Sequence, residues 1–410
     1  MKEDMNISHG ELWVQGNKIT YIGAGKKNEA VWDREIDVQG NLLMPGFKDA
    51  HTHSAMTFLR SFADDFPLME WLEKQVFPME AKLTPEYVYW LCKLAIMEYL
   101  TSGITSNFDM YSFTEAVAKA STDCGFRTVL VSGLNDFNSS LEVLEAEYLK
   151  YNQYNSLISY VLGFHAEYTT SEKLLKGVAA MAKKYQAPVF SHNSETENEV
   201  RGCIDRHGMS PMCYLDSLGI FEYGGGGYHC VHMADQDLDV CQKHNLTIVT
   251  NPGSNTKLAS GVPRMTDILK RDICVAIGTD GPASNNCLDM FREMFLVTGL
   301  AKLRDKDAAA VPAEKVLQMA VQGGARAMNL KECDCLAEGK LADIILIDLH
   351  QPNMQPMNNI VKNLVYSGSK QNVKMTMVNG QILYEDGKFY IGEQPEVIYR
   401  KANEIIASMV

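Results

Sequence analysis

From about residue 42 to residue 330 the chain alternates between short apolar runs and longer stretches in which apolar positions recur every three or four residues. The runs NLLMPGF, GITSNFDM, FRTVLVSGL, ISYVLGFHA, APVFSHNSE, YHCVHM, LTIVTNP and ICVAIGTD have strand length, are mostly β-branched or aromatic, and end in polar residues. Between them TPEYVYWLCKLAIMEYLTSG, TEAVAKASTDCG, TSEKLLKGVAAMAKKYQ and VPRMTDILKRD carry the 3.6-residue period of amphipathic helices, with Thr, Ser or Pro starts and Gly, Lys or Arg stops. A parallel strand covered by helices on both faces reads as a continuous apolar run. Eight such strands alternating with helices predict an α/β chain with a (β/α)8 TIM-like barrel over residues 46–340; a doubly wound open sheet is the competing arrangement.

The two ends differ from this pattern. Residues 11–46 and 341–391 have hairpin character, with turn pairs at Gly16-Asn17, Asn379-Gly380 and Asp386-Gly387. We expect residues 1–45 and 341–395 to pair into one small β-domain, and EVIYRKANEIIASMV to close the chain as a helix over 396–410. The run GGGG at 224–227 reads as a flexible loop before a strand.

Composition narrows the function. With 38 Lys+Arg against 51 Asp+Glu, a net charge of −13 and no basic run, a nucleic-acid partner is disfavoured. The first twenty residues show no leader pattern and no stretch of about 18 apolar residues occurs, which disfavours secretion and membrane spanning and suits the cytoplasm. Ten scattered cysteines form no framework; Cys333-x-Cys335 without a second pair is a weak zinc signal. The expected partner is a small molecule, with homo-oligomerisation left open.

The candidate chemistry lies at strand ends. His51-x-His53 ends the first barrel-type run in PGFKDAHTHSA; residues i and i+2 of a strand share a face, so both imidazoles can meet one ion where barrel sites are built. His192 ends APVFSHNSE with Glu195 three residues on, His232 ends YHCVHM, and Asp280 ends ICVAIGTDG. Singly, His232 could be a core histidine and Asp280 a helix cap. Together, ionisable groups at the ends of apolar strands are costly to bury without a purpose, and they mark a site. Three imidazoles and a carboxylate suit Zn²⁺, with Fe²⁺ accepting the same donors. Without thiolates the site reads as catalytic, the ion lowering the pKa of a bound water from 15.7 to about 7 and so supplying hydroxide.

The set PGFKDAHTH, FSHNSE, HCVHM and GTDG resembles the amidohydrolase superfamily over nearly the whole chain. MEWLEKQVFPMEAKLT, NPGSNTKLASGVPRMTDIL and GTDGPASNNCLDMFREM look more narrowly like its 5'-methylthioadenosine/S-adenosylhomocysteine deaminases and their adenosine-type relatives. That resemblance implies a barrel beside a small β-sandwich built from both termini. It also implies one divalent ion on His51, His53, His192 and Asp280. Glu195 would protonate the purine ring nitrogen as metal-bound hydroxide attacks C6, His232 would hydrogen-bond the oxygen at the tetrahedral carbon, and Asp280 would carry the water's proton to departing ammonia. Glu80 and His165 match nucleoside-contacting positions near the ribose. Trp71 is read as either core packing or a cover for the base.

Two departures bear on the substrate. Where the family pattern ends its third strand in arginine this chain has Ser132, and DFNSSLEVLEAEY offers no second arginine. A carboxylate on the 5' group would lack its guanidinium, with Arg292 the one substitute in view. Methylthioadenosine, 5'-deoxyadenosine or adenosine is therefore expected ahead of S-adenosylhomocysteine. The strand usual in the family before ELWVQGNKI is lacking, which points to a smaller sheet or a start further upstream. The competing readings are a deaminase of another amino-heterocycle, such as guanine, 8-oxoguanine, a pterin or a triazine, and a catalytically inactive binding scaffold.

Overall fold

The computed structural model describes residues 6–26, 31–62, 64–66 and 68–410. Its centre is a barrel of eight parallel strands: β4 (Phe47–Thr52), β5 (Ile104–Met110), β6 (Arg127–Val131), β7 (Ile158–Gly163), β8 (Val189–Asn193), β9 (Gly225–His229), β10 (Thr247–Thr250) and β11 (Cys274–Ile277). Each pairs with the next in chain order. Among the described residues the seam between last and first strands is joined by one parallel bridge, Thr52 with Asp280, where Asp280 N donates to the His51 carbonyl at 2.9 Å. The fold class is thus the (β/α)8 barrel, not the open sheet.

Burial explains why the strands were continuous apolar runs: one side faces the barrel interior and the other the helices. Ala50, Phe108, Val129, Phe190, Tyr228 and Val249 fill the interior as a cluster separate from the larger core under the helices.

Two local expectations fail. NLLMPGF is not one strand: Leu42–Pro45 (β3) joins an antiparallel sheet outside the barrel, and β4 begins at Phe47. The glycine run is not a loop either, since Gly225, Gly226 and Gly227 begin β9 itself. Gly225 has φ +125°, and a Cβ there would lie 1.9 Å from the Val189 carbonyl oxygen; at Gly226 it would lie 2.0 Å from that of Thr247. Glycine permits this close approach of neighbouring backbones.

The antiparallel sheet combines β3 with β12 (Ile344–Ile347), β13 (Val373–Val378), β14 (Gln381–Glu385) and β15 (Lys388–Phe389). The hairpin of β1 (Glu11–Gln15) and β2 (Lys18–Gly23) forms its own two-stranded sheet, tied to residues 339–342 by bonds such as Ile19 N to the Lys340 carbonyl, 2.9 Å. Barrel and small sheet are joined at a buried ion pair: Arg127 Nε and Nη2 donate to the two Asp343 carboxylate oxygens at 2.7 and 3.1 Å. The helix Pro395–Met409 closes the chain against the helix Pro85–Thr101. Among the described residues no helix is long and apolar enough to cross a membrane.

Candidate active site

The C-terminal ends of the barrel strands bring His51, His53, His192 and Asp280 together, with one donor atom from each lying within 4.8 Å of the others. His53 Nε2 and His51 Nε2 stand 3.1 and 3.5 Å from Asp280 Oδ1. The outer nitrogens orient the rings. His53 Nδ1 donates to the Met110 carbonyl at 2.5 Å and His192 Nδ1 to the His165 carbonyl at 2.8 Å, turning each Nε2 inward. His51 is buried against Tyr228, ring centroids 3.8 Å apart, and neither of its nitrogens has a hydrogen-bond partner.

The electrostatics follow from burial and from one carboxylate. Burial drives the His51 imidazole down to about 3 and that of His192 well below its ordinary range. His53 goes up to about 9 because hydrogen bonding and charge from Asp280 outweigh its burial penalty. Asp280 is held well below the ordinary carboxylate range, the imidazoles of His51 and His53 overcoming its desolvation. Three imidazoles converging on an ionised carboxylate, with both nitrogens of the buried His51 lacking a hydrogen-bond partner, fit a divalent cation of borderline hardness. Ser284 Oγ donates to Asp280 Oδ2 at 2.7 Å, leaving Oδ1 to the imidazole side.

Glu195 stands beside this cluster. Its Oε1 accepts from Ser260 Oγ at 3.1 Å, and its backbone N–H donates to Glu199 Oε2 at 2.7 Å. The histidine facing it is not the one expected. His232 turns away, its Nε2 bonded to the Ser260 carbonyl at 2.7 Å. His229 takes that place: its Nε2 lies 3.9 Å from Glu195 Oε2, its ring stacks on His192, and its Nδ1 pairs with Asn255 Oδ1 at 2.8 Å. The correction follows from the glycine run. β9, which begins at Gly225, ends at His229, three residues before His232. Ser194, His229, Cys230 and Asp280 all adopt left-handed backbone conformations, φ +49° to +67°, a strained geometry that clusters at working sites.

The remaining candidates surround this centre. His165 lies 4.9 Å from His192 between ring centroids, its Nδ1 paired with Thr169 Oγ1, and burial drives it down to about 4. Glu80 accepts from Tyr111 OH at 2.8 Å, and Tyr111 lies 6.5 Å from the His53 ring; burial raises the Glu80 carboxyl. Trp71 is only 5% exposed and belongs to the hydrophobic core, which leaves little ring surface for stacking a base. Ser132 is buried, with its Oγ accepting from Leu134 N. Arg292 is exposed, and its Nη1 donates to the Asn285 carbonyl at 3.3 Å. The sequence reading missed His229 and the supports Asn255, Ser260 and Ser284; the signal for them was the pair of histidines in HCVHM and the strings SNTKLASG and ASNN.

The pattern of the Amidohydrolase family matches residues 42–383. A 5-methylthioadenosine/S-adenosylhomocysteine deaminase of Thermoanaerobacter pseudethanolicus is 38% identical over 408 residues, covering 97% of this chain and 94% of the relative. A 5'-deoxyadenosine deaminase of Methanocaldococcus jannaschii is 39% identical over 411 residues, covering 98% and 97%. The crystal structure of an adenosine deaminase from Xanthomonas campestris with bound zinc superposes with a TM-score of 0.85 at 30% identity, over 90% of this chain and 85% of that one.

Proposed function

Because this chain belongs to the amidohydrolase family, we propose that it is a cytoplasmic, metal-dependent hydrolytic deaminase that removes the 6-amino group of an adenine nucleoside as ammonia. The observation that carries this reading is the acid Glu195 set against His229 beside a four-donor cation cluster. Hydrolysis at an amino-substituted ring carbon needs a proton for the ring nitrogen, a base for water and a donor for the oxygen that forms. All three are within reach.

His51, His53, His192 and Asp280 would hold one ion per subunit, zinc in our reading with Fe²⁺ the alternative, and such an ion supplies Lewis acidity that brings the pKa of water to about 7. Asp280 takes the proton of the attacking water and passes it to the departing amine, Ser284 keeping its second oxygen in place. Glu195, anchored by Ser260 and through its backbone by Glu199, delivers a proton to the purine ring nitrogen. His229, and not His232, hydrogen-bonds the oxygen that develops at C6. Glu80 and His165 bind ribose hydroxyls, with Tyr111 and Thr169 holding them.

The 5' substituent is small or uncharged in this reading: methylthioadenosine, 5'-deoxyadenosine or adenosine ahead of S-adenosylhomocysteine. Ser132 in place of a guanidinium supports this, as does Arg292, whose exposed side chain is bonded to the Asn285 carbonyl. The test is kcat/KM for ammonia release by zinc-loaded enzyme on these four nucleosides and guanine. A tenfold or greater preference for the uncharged 5' groups, about 1.4 kcal/mol of transition-state binding, is expected. Absence of turnover on every adenine nucleoside sinks the assignment.

A further inference from the structure

Lys257 ends the helix Pro252–Lys257 and takes no part in the chemistry above. Its ammonium donates to Asp64 Oδ1 at 2.5 Å, to the Ala283 carbonyl at 2.8 Å and to Asn286 Oδ1. Asn286 Nδ2 reaches back to Ser61 Oγ at 3.1 Å and Asp64 Oδ2 at 3.2 Å. One cation thus joins the segments that follow β4, β10 and β11. These three strands are neighbours across the barrel seam, which among the described residues the ladder itself joins by the Thr52–Asp280 bridge.

Each joined segment carries a working group. The segment after β4 leads from His53 through Asp64 to Glu80. The one after β10 holds Asn255, which pairs with His229, and Ser260, which donates to Glu195. The one after β11 holds Asp280 and Ser284. Arg60 is paired with Glu98 at the start of the first segment, and Glu80 is held by Tyr111 at its far end. Between them, among the described residues, Ser61 and Asp64 bond to Lys257 and Asn286, Met79 Sδ accepts from Lys82 at 3.8 Å, and Trp71, Val76 and Met79 pack into the hydrophobic core, so the polar ties to the other two segments all run through Lys257 and Asn286.

We infer that Lys257 is a positioning residue for substrate: by clasping Asp64 and Asn286 it sets Glu80, the ribose contact of the reading above on which this rests, at a fixed distance from the His229, Glu195 and Asp280 groups. Its loss costs substrate binding before it costs chemistry. Lys257→Met keeps the stem and removes the charge; Lys257→Arg keeps a cation able to reach both partners.

Two measurements test this. Hydrogen exchange of the metal-loaded protein without substrate is expected to speed up by about tenfold or more across residues 60–80 in Lys257→Met, with the barrel strands unchanged and Lys257→Arg close to wild type. Unchanged exchange there overturns the clasp whatever the substrate is. On whichever amino-heterocycle the wild type turns over best, Lys257→Met is expected to raise KM about tenfold with kcat within about threefold, and Lys257→Arg to restore most of the loss. A fall in kcat at unchanged KM overturns the positioning role. Wild-type turnover confined to bases without ribose would defeat the nucleoside reading itself, a result that the exchange measurement does not share.

Discussion

Two buried polar clusters sit at opposite ends of the same barrel, and they are built on opposite rules. At the N-terminal end Arg127 and Asp343 form a two-bond ion pair, Asn379 N adds a third bond to the aspartate at 2.7 Å, and Lys48, fully buried, donates to the Gly46 carbonyl and Thr105 Oγ1 at 2.9 and 2.8 Å. Every charge there has a protein partner. At the C-terminal end His51 makes no hydrogen bond and stands 3.5 Å from Asp280 Oδ1, His53 and Asp280 are driven to opposite extremes by each other, and four nearby residues hold left-handed backbones. A satisfied cluster of this depth joins layers, and an unsatisfied one waits for something from outside the chain.

Exchanging the roles of two aspartates would break that contrast most sharply. Asp280→Ala should lower kcat/KM for ammonia release roughly 10,000-fold or more while moving the unfolding free energy of the metal-free protein by less than about 2 kcal/mol. Asp343→Ala should do the reverse: the Arg127 guanidinium is left buried and unpaired, costing about 3–5 kcal/mol in urea unfolding, with kcat per folded molecule unchanged. Equal stability losses in the two variants would mean that both clusters are structural.

Next in size is the choice between two histidines of one strand end. His229→Ala should cost about 100- to 10,000-fold in kcat, and His232→Ala only a few fold, measured as ammonia release at saturating substrate. The opposite ranking would return the role to His232.

The smallest effect concerns Glu293, buried beneath the site, where its carboxylate accepts from Gly253 N and Asn285 Nδ2, each at 2.8 Å. Burial lifts this carboxyl to about 7 from its ordinary 4.5. The folded chain therefore keeps a proton that the unfolded chain releases between those values, so this contribution to stability is fully present below about pH 4.5 and is lost as pH rises to about 7. Glu293→Gln should flatten the decline, on the order of 1–3 kcal/mol between pH 5 and pH 8, in urea unfolding followed across that range. An unchanged slope would place the titration elsewhere.

The barrel was legible because its strands are buried on both sides, and β5 to β8 coincide closely with the apolar runs that announced them. What failed was local. The glycines of β9 carry no side chains to announce a strand, and they act through the close approach of Val189 and Thr247, residues far off in sequence. Reading the strand as YHCVHM carries its end on to His232, the histidine expected to hydrogen-bond the oxygen at the tetrahedral carbon, whereas β9 ends at His229, which stands by Glu195. The metal-type donors could be read directly, since each sits at the end of its own strand or turn. Glu80 and His165 were reachable only through the family resemblance: the fold alone brings Tyr111 to Glu80, and Thr169 lies beside His165 in the chain but carries no signature of a site. Lys257 stood in a conspicuous string, yet its purpose depends on three segments meeting above the seam.

That seam has a consequence for how the molecule holds its shape. The end of the first barrel strand and the turn after the last meet at Thr52 and Asp280, and three of the four converging donors, His51, His53 and Asp280 itself, flank this bridge. A cation held by these donors would therefore tie together the two ends of the barrel ladder. An ion at a thousand times its dissociation constant adds about 4.1 kcal/mol to the closed form by mass action. The cation would thus act as the hoop on a cask as well as a reagent, and chelation would loosen the staves that are furthest apart in the chain.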